Sequence, residues 1–271
     1  MNKLSQTIPY QVDTIFSPFP ASEFPSALAF LEEAGFTGVE LAIAYPREVN
    51  AASLHKQLQA HHLAATSLST GQIYGLKGLY MSSFDEEIRK QAADVIKGHI
   101  ELSAELDAPV VTVGLIRGKL EAGDPAQLME NFRCAMMPCV EYALKYGVTL
   151  QVEPINKSET VMIHSTYDGL AFLEALGNPE NVGILYDTYH SNLEDGDMFA
   201  AIRAAAGRIT NVHLADSHRG LPGYGTLDFK AIYRAVQETG YQGPYALETL
   251  AIPDTTFVNT HCFESVRAIM Q

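Results

Sequence analysis

The sequence VTLQVE, residues 148–153, is a short apolar run that ends in the carboxylate of Glu153. The same pattern recurs three times: VGILYD (182–187) ends in Asp187, ITNVH (209–213) in His213, and YALE (245–248) in Glu248. Successive terminal residues lie 34, 26 and 35 positions apart, close to one strand–helix unit of about 30 residues. The pattern predicts repeated βα units whose strands end in residue types that ligate metals.

The alternation of β-branched runs with amphipathic stretches extends over the whole chain of 271 residues. The predicted strands are 8–15, 38–43, 64–69, 110–113, 148–153, 182–187, 209–213 and 245–248. Asp124 is predicted to begin a helix that ends at Gly147, and Asp195 to begin a later helix. Because no linker or charge block divides the chain, residues 1–271 are predicted to form a single (β/α)₈ TIM barrel, which usually has about 250 residues. An open doubly wound sheet is the alternative, but no GxGxxG follows the first predicted strand.

The composition excludes several classes of protein. Lys and Arg number 18 against 32 Asp and Glu, which gives a net charge of −14 and argues against a nucleic-acid partner. The three cysteines form no CxxC pair, so neither a disulfide framework nor a structural zinc site is expected. The sequence contains no run of 18 apolar residues and no signal-peptide pattern. We therefore expect a cytoplasmic protein without a membrane partner.

The four strand-terminal residues would meet at one mouth of a barrel, because the C-terminal ends of parallel strands lie on the same side. Three carboxylates placed together repel one another unless a cation neutralises them. Three oxygen donors and one imidazole suit one divalent ion, with Mn²⁺ favoured and Mg²⁺, Co²⁺ or Zn²⁺ as alternatives. Such an ion would keep positions open for adjacent oxygens of a sugar. The competing interpretation is that these residues cap helices or face loops.

Three further candidates lie on the loops that follow these strands. Glu159 comes six residues after Glu153, His190 three after Asp187, and Arg219 six after His213. Arg219 could polarise a substrate oxygen and His190 could donate a hydrogen bond to an enediolate. A surface salt bridge for Arg219 and a polar helix start for His190 are the alternatives. The glycine-rich segment 220–225 is predicted to line the mouth rather than to bind a nucleotide.

The segments EPINKSE (153–159), YDTYHSNLED (186–195), NVHLADSHRGLPGYGTLDF (211–229) and YALE (245–248) resemble the sugar isomerase/epimerase branch of the xylose isomerase-like barrels. The resemblance implies that Glu153, Asp187, His213 and Glu248 bind a divalent metal. It also implies that Glu153 and Glu248 form the acid/base pair and that Glu159, His190 and Arg219 contact the substrate. The related three-zinc endonuclease IV needs further histidines that this sequence lacks.

The activity implied by the resemblance is epimerisation or isomerisation of a small-molecule sugar or keto-sugar. A carboxylate would remove the proton next to a carbonyl to give a metal-bound enediolate, and the opposite carboxylate would return a proton to the other face. A ketose 3-epimerase is favoured by the segments around His190 and Arg219. Hydroxypyruvate isomerase, an inosose or dehydroshikimate dehydratase, and a non-enzymatic sugar binder are the alternatives. Family members are often dimers or tetramers, so a homo-oligomer is also expected.

Overall fold

The computed structural model describes residues 4–270, and its eight parallel strands close into a barrel in the order β1 to β8. The strands are β1 Leu4–Pro9, β2 Gly38–Ala42, β3 Ala64–Ser69, β4 Val110–Val113, β5 Thr149–Val152, β6 Val182–Asp187, β7 Ile209–Leu214 and β8 Tyr245–Leu247. The barrel is closed by pairing of β8 with β1, in which Leu4 lies opposite Tyr245 and Gln6 opposite Leu247. This confirms the predicted single (β/α)₈ TIM barrel.

Ten α-helices in the described residues surround the barrel. They are α1 Phe24–Ala34, α2 Ala51–Ala60, α3 Gln72–Lys77, α4 Glu86–Glu105, α5 Pro125–Tyr146, α6 Thr166–Ala175, α7 Thr188–Glu194, α8 Met198–Ala204, α9 Phe229–Glu238 and α10 Thr255–Ile269. Asp124 caps α5, and Gly147 ends it with a left-handed φ of 68°, as predicted. None of the helices within residues 4–270 combines the length and the apolar character needed to cross a membrane.

Two predicted boundaries are wrong. The first strand was predicted at 8–15, but β1 spans Leu4–Pro9. Its residues Ser5, Gln6 and Thr7 are buried, so the strand lacks the apolar alternation by which an exposed strand is recognised. Asp195 does not begin a helix: it follows α7, and the helix α8 begins after Asp197, whose carboxylate accepts from two backbone amides.

The interior of the barrel is polar, whereas the layer between strands and helices is apolar. Asn211 on β7 donates from Nδ2 to Glu40 Oε2 on β2 at 3.0 Å, a contact that can form only across the barrel, because these strands are not neighbours. In the outer layer the rings of Phe132 on α5 and Phe172 on α6 stack with centroids 4.7 Å apart. The apolar shell fixes the strands, while the polar interior holds charged groups beneath the mouth.

Candidate active site

The four strand-terminal candidates converge at the C-terminal mouth of the barrel. Glu153 directly follows β5, Asp187 ends β6, His213 lies one residue before the end of β7, and Glu248 directly follows β8. One ligand atom from each of the four lies within 4.8 Å of those from the other three. Glu153, Asp187 and His213 are buried, while Glu248 is partly open to the mouth. The structure thus brings together the complete set that the sequence pattern singled out.

The donor atoms of this cluster fit a divalent cation. Nδ1 of His213 lies 3.4 Å from Oε2 of Glu248 and 3.6 Å from Oδ2 of Asp187. Among residues 4–270, the buried atoms His213 Nδ1 and Asp187 Oδ2 have no hydrogen-bond partner. Buried polar atoms normally have a hydrogen-bond partner or a ligand. Two neighbouring buried atoms without a partner therefore indicate a binding position for an ion. Three carboxylate oxygens and one imidazole nitrogen are the donors that Mn²⁺ and similar ions accept.

The charges in the cluster are strongly coupled. Burial raises the pKa of Glu153 well above its ordinary value, and the carboxylate of Glu248 adds to the shift. Burial also opposes ionisation of Asp187, but its interactions with His190 and His213 outweigh burial and hold the pKa of Asp187 below its ordinary value. The carboxylates therefore repel one another when Glu153 is ionised, and a cation at their centre would relieve that repulsion.

A fourth carboxylate, that of Glu40 on β2, lies beneath the cluster and was not predicted. Its Oε2 is 3.0 Å from Nε2 of His213, and it also accepts from Ser67 Oγ and from Asn211 Nδ2. Burial raises the pKa of Glu40, but His213 and these hydrogen bonds outweigh burial, and the pKa lies below its usual value. An ionised Glu40 accepts a hydrogen bond from the Nε2–H group of His213. Nδ1 of His213 is then unprotonated, and its lone pair, which faces Asp187 and Glu248, is available to ligate a metal ion.

The three loop candidates form a second connected group beside the first. Arg219 Nη1 donates to Glu159 Oε1 at 2.9 Å, and Arg219 Nη2 lies 3.4 Å from Nε2 of His190. Nε2 of His190 is in turn 3.8 Å from Oε1 of Glu153. Burial lowers the pKa of His190, although the carboxylate of Asp187 opposes the shift. All three candidates therefore lie beside the space next to Glu153. Glu159 supplies a carboxylate there, Arg219 a guanidinium and His190 an imidazole.

Packing holds the Arg219 guanidinium between two aromatic rings. It lies 4.2 Å from the centroid of Phe16, on the loop after β1, and 4.9 Å from that of Tyr189 on α7. The backbone of Arg219 is left-handed, with a φ of 63°, and its carbonyl accepts from Leu250 N at 2.8 Å. A conformation that is unfavourable for a residue with a side chain must be enforced by its surroundings.

The carboxylate of Asp216 organises the glycine-rich loop that carries Arg219. It accepts from the backbone N–H groups of Ser217, Gly223, Gly225 and Leu227 at 2.7, 2.8, 2.8 and 3.2 Å. Asp216 is fully buried, and a Cβ on Gly225 would lie 2.2 Å from its Oδ1. The loop amides thus bind an internal carboxylate, which agrees with the interpretation of this segment as a structured loop rather than a nucleotide site.

Replacing Asp216 with asparagine should lower both the stability and the activity of the protein. An amide NH₂ facing backbone donors loses charge-assisted hydrogen bonds, which should cost about 2 kcal/mol and lower Tm by about 4–8 °C. Because Arg219 lies in the same loop, kcat/KM should fall about 10- to 100-fold through misplacement of its guanidinium. Calorimetry and steady-state kinetics measure the two effects.

The matched control is Asp197→Asn, which changes an aspartate that caps α8. Asparagine is as good a helix cap as aspartate, so this variant should keep its Tm and its activity. If Asp216→Asn matched the control in both measurements, the loop amides would not depend on the carboxylate for their arrangement.

A cavity of about 170 Å³ opens above the two groups. Six of the seven predicted site residues line it, the exception being Asp187. The opposite wall comes from loops after β1, β3 and β4 and includes Thr14, Phe16, Ser69, Thr70, Gln72 and Leu115. A concave space with a few convergent polar groups and mixed polar and apolar walls is typical of a small-molecule site.

The structure adds three residues that sequence reasoning missed: Glu40, Asn156 and Asp216. Glu40 interrupts the apolar run GVELAIA, and a lone charge within a buried strand is a signal that could have singled it out. Asn156 lies inside the segment EPINKSE and contacts both Glu159 and His190. Asp216 comes three residues after His213 but shows no pattern of its own, because its partners are backbone amides of a loop.

A parallel barrel with a Glu–Asp–His–Glu cluster at its C-terminal mouth defines a class of metal-site enzymes, and comparison with known proteins identifies the family. The family model described as "Xylose isomerase-like TIM barrel" matches residues 28–258. The chain therefore belongs to the xylose isomerase-like TIM barrel family, and the resemblance noted from the motifs is confirmed.

Several curated relatives of the chain are named as carbohydrate epimerases. The chain is 32% identical to L-ribulose 3-epimerase of Mesorhizobium japonicum, over 85% of this chain and 76% of the relative. It is 31% identical to ketose 3-epimerase of Arthrobacter globiformis, over 81% of this chain and 75% of the relative. The crystal structure of D-allulose 3-epimerase from Methylomonas sp. in complex with D-allulose is similar with a TM-score of 0.79, at 26% identity, over 97% of this chain and 91% of that chain.

Proposed function

We propose that this protein is a divalent-metal-dependent ketose 3-epimerase. The observation that carries the proposal is the placement of Glu153 and Glu248 at the two ends of the arc formed by β5 to β8, with Asp187 and His213 between them. Two carboxylates that approach from different strands can address opposite faces of a planar intermediate. The names of the relatives support the same reaction.

The ion-binding set of the proposal is Glu153, Asp187, His213 and Glu248, because their donor atoms converge and two of them lack partners within residues 4–270. A divalent ion held there would act as a Lewis acid on a ketone oxygen and the adjacent hydroxyl, which acidifies the C–H bond at C3. Mn²⁺ is the proposed ion, with Mg²⁺, Co²⁺ and Zn²⁺ as alternatives for the same donors.

The protein groups would then perform two proton transfers. One of the carboxylates Glu153 and Glu248 takes the C3 proton and becomes a carboxylic acid, which leaves an enediolate. The other, already protonated, gives its proton to the opposite face of C3, which inverts the carbon. In this proposal Glu159, His190 and Arg219 hold the substrate oxygens next to Glu153, where their mutual contacts already orient them. Exchange of the carboxyl protons with water resets the pair.

Proton NMR in D₂O tests the proposal. The Mg²⁺-loaded protein is incubated separately with L-ribulose and with D-allulose, and the C3 proton signal and the appearance of the C3 epimer are followed. We expect deuterium at C3 together with the epimer, and loss of both after removal of the ion with a chelator. Deuterium at C1 with an aldose product would instead indicate an aldose–ketose isomerase. Loss of one water from a cyclic substrate would indicate a dehydratase.

The remaining parts of the proposal concern the surroundings of the protein. A small-molecule sugar is the proposed partner, and the net charge of −14 argues against nucleic acid. A cytoplasmic location and a homo-oligomer stay predictions. Fractionation of cells and analytical ultracentrifugation measure them.

A further inference from the structure

Asn156 lies in the loop after β5, three residues beyond Glu153, and its side chain is buried against His190. Its exposed fraction is 2%, so its amide must find partners within the protein. The partners are Ser158, Glu159 and His190. Asn156 therefore contacts two of the three groups that our proposed function assigns to substrate binding.

The contacts of Asn156 fix which way its amide points. The backbone N–H of Ser158 lies 3.0 Å from Oδ1 of Asn156, and an N–H group can only donate, so this atom must be the amide oxygen. The NH₂ group then lies on the other side, 2.8 Å from Oε1 of Glu159 and 3.0 Å from Nδ1 of His190. The carboxylate oxygen of Glu159 accepts one proton of the NH₂ group, and the other points at His190.

The contacts of His190 in turn favour one location for its own proton. Nδ1 faces two donors, the amide Nδ2 of Asn156 at 3.0 Å and the backbone N of Asn156 at 3.4 Å. A proton on Nδ1 would point at both donors, so these two contacts oppose the Nδ1–H tautomer and also the doubly protonated ring. A neutral ring carries its one proton on Nδ1 or on Nε2. Nδ1 faces two donors, one of them at 3.0 Å, whereas Nε2 faces a single donor, Nη2 of Arg219 at 3.4 Å, so the contacts favour the proton on Nε2.

His190 lines the cavity, and its Nε2–H group has no acceptor within hydrogen-bond distance among residues 4–270. The neighbouring Nη2 of Arg219, at 3.4 Å, can only donate, and Oε1 of Glu153, at 3.8 Å, lies beyond hydrogen-bond distance. A buried donor in this position is set to bind an oxygen that enters beside Glu153. A neutral imidazole can donate that hydrogen bond without giving up its proton, because its N–H is a very weak acid.

We propose that Asn156 is a positioning residue that locks His190 in the Nε2–H tautomer, so that the ring donates a hydrogen bond to a substrate oxygen next to the carbon that Glu153 serves. The substrate part of this inference rests on the proposed function. The tautomer part rests on the contacts of the His190 ring with Asn156 and Arg219 and not on the reaction. The two parts therefore require separate measurements.

The tautomer is measured by long-range proton–nitrogen NMR of the Mg²⁺-loaded protein labelled with ¹⁵N-histidine. A His190→Asn variant assigns the signals of this ring by their disappearance. In the natural sequence we expect the Nδ1 signal in the range of an unprotonated nitrogen and the Nε2 signal in the range of a protonated one. The opposite assignment, or two protonated nitrogens, would overturn the proposal.

Asn156→Asp is the decisive variant because it replaces the NH₂ donor by an acceptor of nearly the same size. We expect Nδ1 of His190 to become protonated and kcat for C3 epimerisation to fall about 100-fold or more, with a smaller change in KM. Asn156→Ala is a second variant that removes the side-chain donor but keeps the backbone N–H at 3.4 Å from Nδ1, so it should weaken the preference and give signals of both tautomers. Retention of the natural tautomer by Asn156→Asp would contradict the proposal.

Ser158→Ala is the matched control. It removes the Ser158 hydroxyl that donates to Asn156 Oδ1 but keeps the backbone N–H that orients the amide. This variant should keep the tautomer and most of the activity. If the protein epimerises no ketose, the NMR assignment still decides the tautomer. If it epimerises ketoses while Asn156→Asp changes neither tautomer nor kcat, the positioning role alone is wrong.

Discussion

Glu248→Gln and Glu153→Gln should each abolish net epimerisation while leaving solvent exchange at C3 with one epimer only. Each variant retains a single carboxylate, and that carboxylate reaches the C3 proton on one face of the substrate. The rate of epimer formation should fall about 10²- to 10⁴-fold, the range for loss of an acid/base group. Exchange by the remaining carboxylate should persist with the epimer whose C3 proton faces it.

The measurement is deuterium incorporation followed separately from each of the two epimers. Because Gln retains an oxygen donor, both variants should be assayed with the ion raised until its binding is saturated, so that loss of the ion is not mistaken for loss of the base. Complementary behaviour, with Glu153→Gln exchanging one epimer and Glu248→Gln the other, is the expected result. Exchange of both epimers by one variant would mean that a single carboxylate serves both faces.

Asp187→Asn provides the matched control for this experiment. Asp187 shares the cluster with the two glutamates but does not line the cavity. Its substitution should therefore weaken the binding of the ion more than it changes the proton transfers measured at saturation. A variant that lost exchange with both epimers even at saturation would assign to Asp187 a part in the proton transfers themselves.

The sequence predicted seven of the eight strands to within one residue at each end, and only the first strand was misplaced. Strands β5 to β8 were recognised because an apolar run is followed at once by an acid or a histidine, as at Asp187. The first strand was misplaced because its residues Ser5, Gln6 and Thr7 are polar although they are buried in the barrel. A run of polar residues in a sequence resembles a loop. Polar strands inside a barrel give no hydrophobic alternation, so their position follows only from pairing with β2 and β8.

The residues that orient the site escaped prediction because their partners are distant in the chain or are backbone atoms. Glu40 lies 173 residues from His213, so no local spacing connects the two. The partners of Asp216 are backbone amides, which every residue except proline has, so no residue type in the sequence indicates these contacts. Asn156 lies within a recognised motif, but its function depends on an amide orientation that only its contact with the Ser158 backbone reveals.

Glu40→Gln should lower the affinity for the divalent ion about 10- to 100-fold, the usual effect of losing a carboxylate behind a metal-binding histidine. The carboxylate fixes the proton of His213 on Nε2 and makes Nδ1 a better donor, whereas a neutral amide does so less well. Its negative charge also contributes to the attraction for a cation a few ångströms away. The affinity is measured directly by titrating the metal-free protein with Mn²⁺ and following the free ion by electron paramagnetic resonance.

Two controls separate this effect from general damage to the polar interior. Ser67→Ala removes one donor to Glu40 but leaves the carboxylate beside His213, so its affinity should fall much less. Ser5→Ala removes another buried hydroxyl of the barrel, one that contacts Thr66 and not His213, and should leave the affinity unchanged. Because Glu40 lies behind the histidine and away from the cavity, excess Mn²⁺ should restore most of kcat in Glu40→Gln. Unchanged affinity in a folded Glu40→Gln protein would mean that the carboxylate of Glu40 has a structural role in the barrel and does not contribute to binding of the ion.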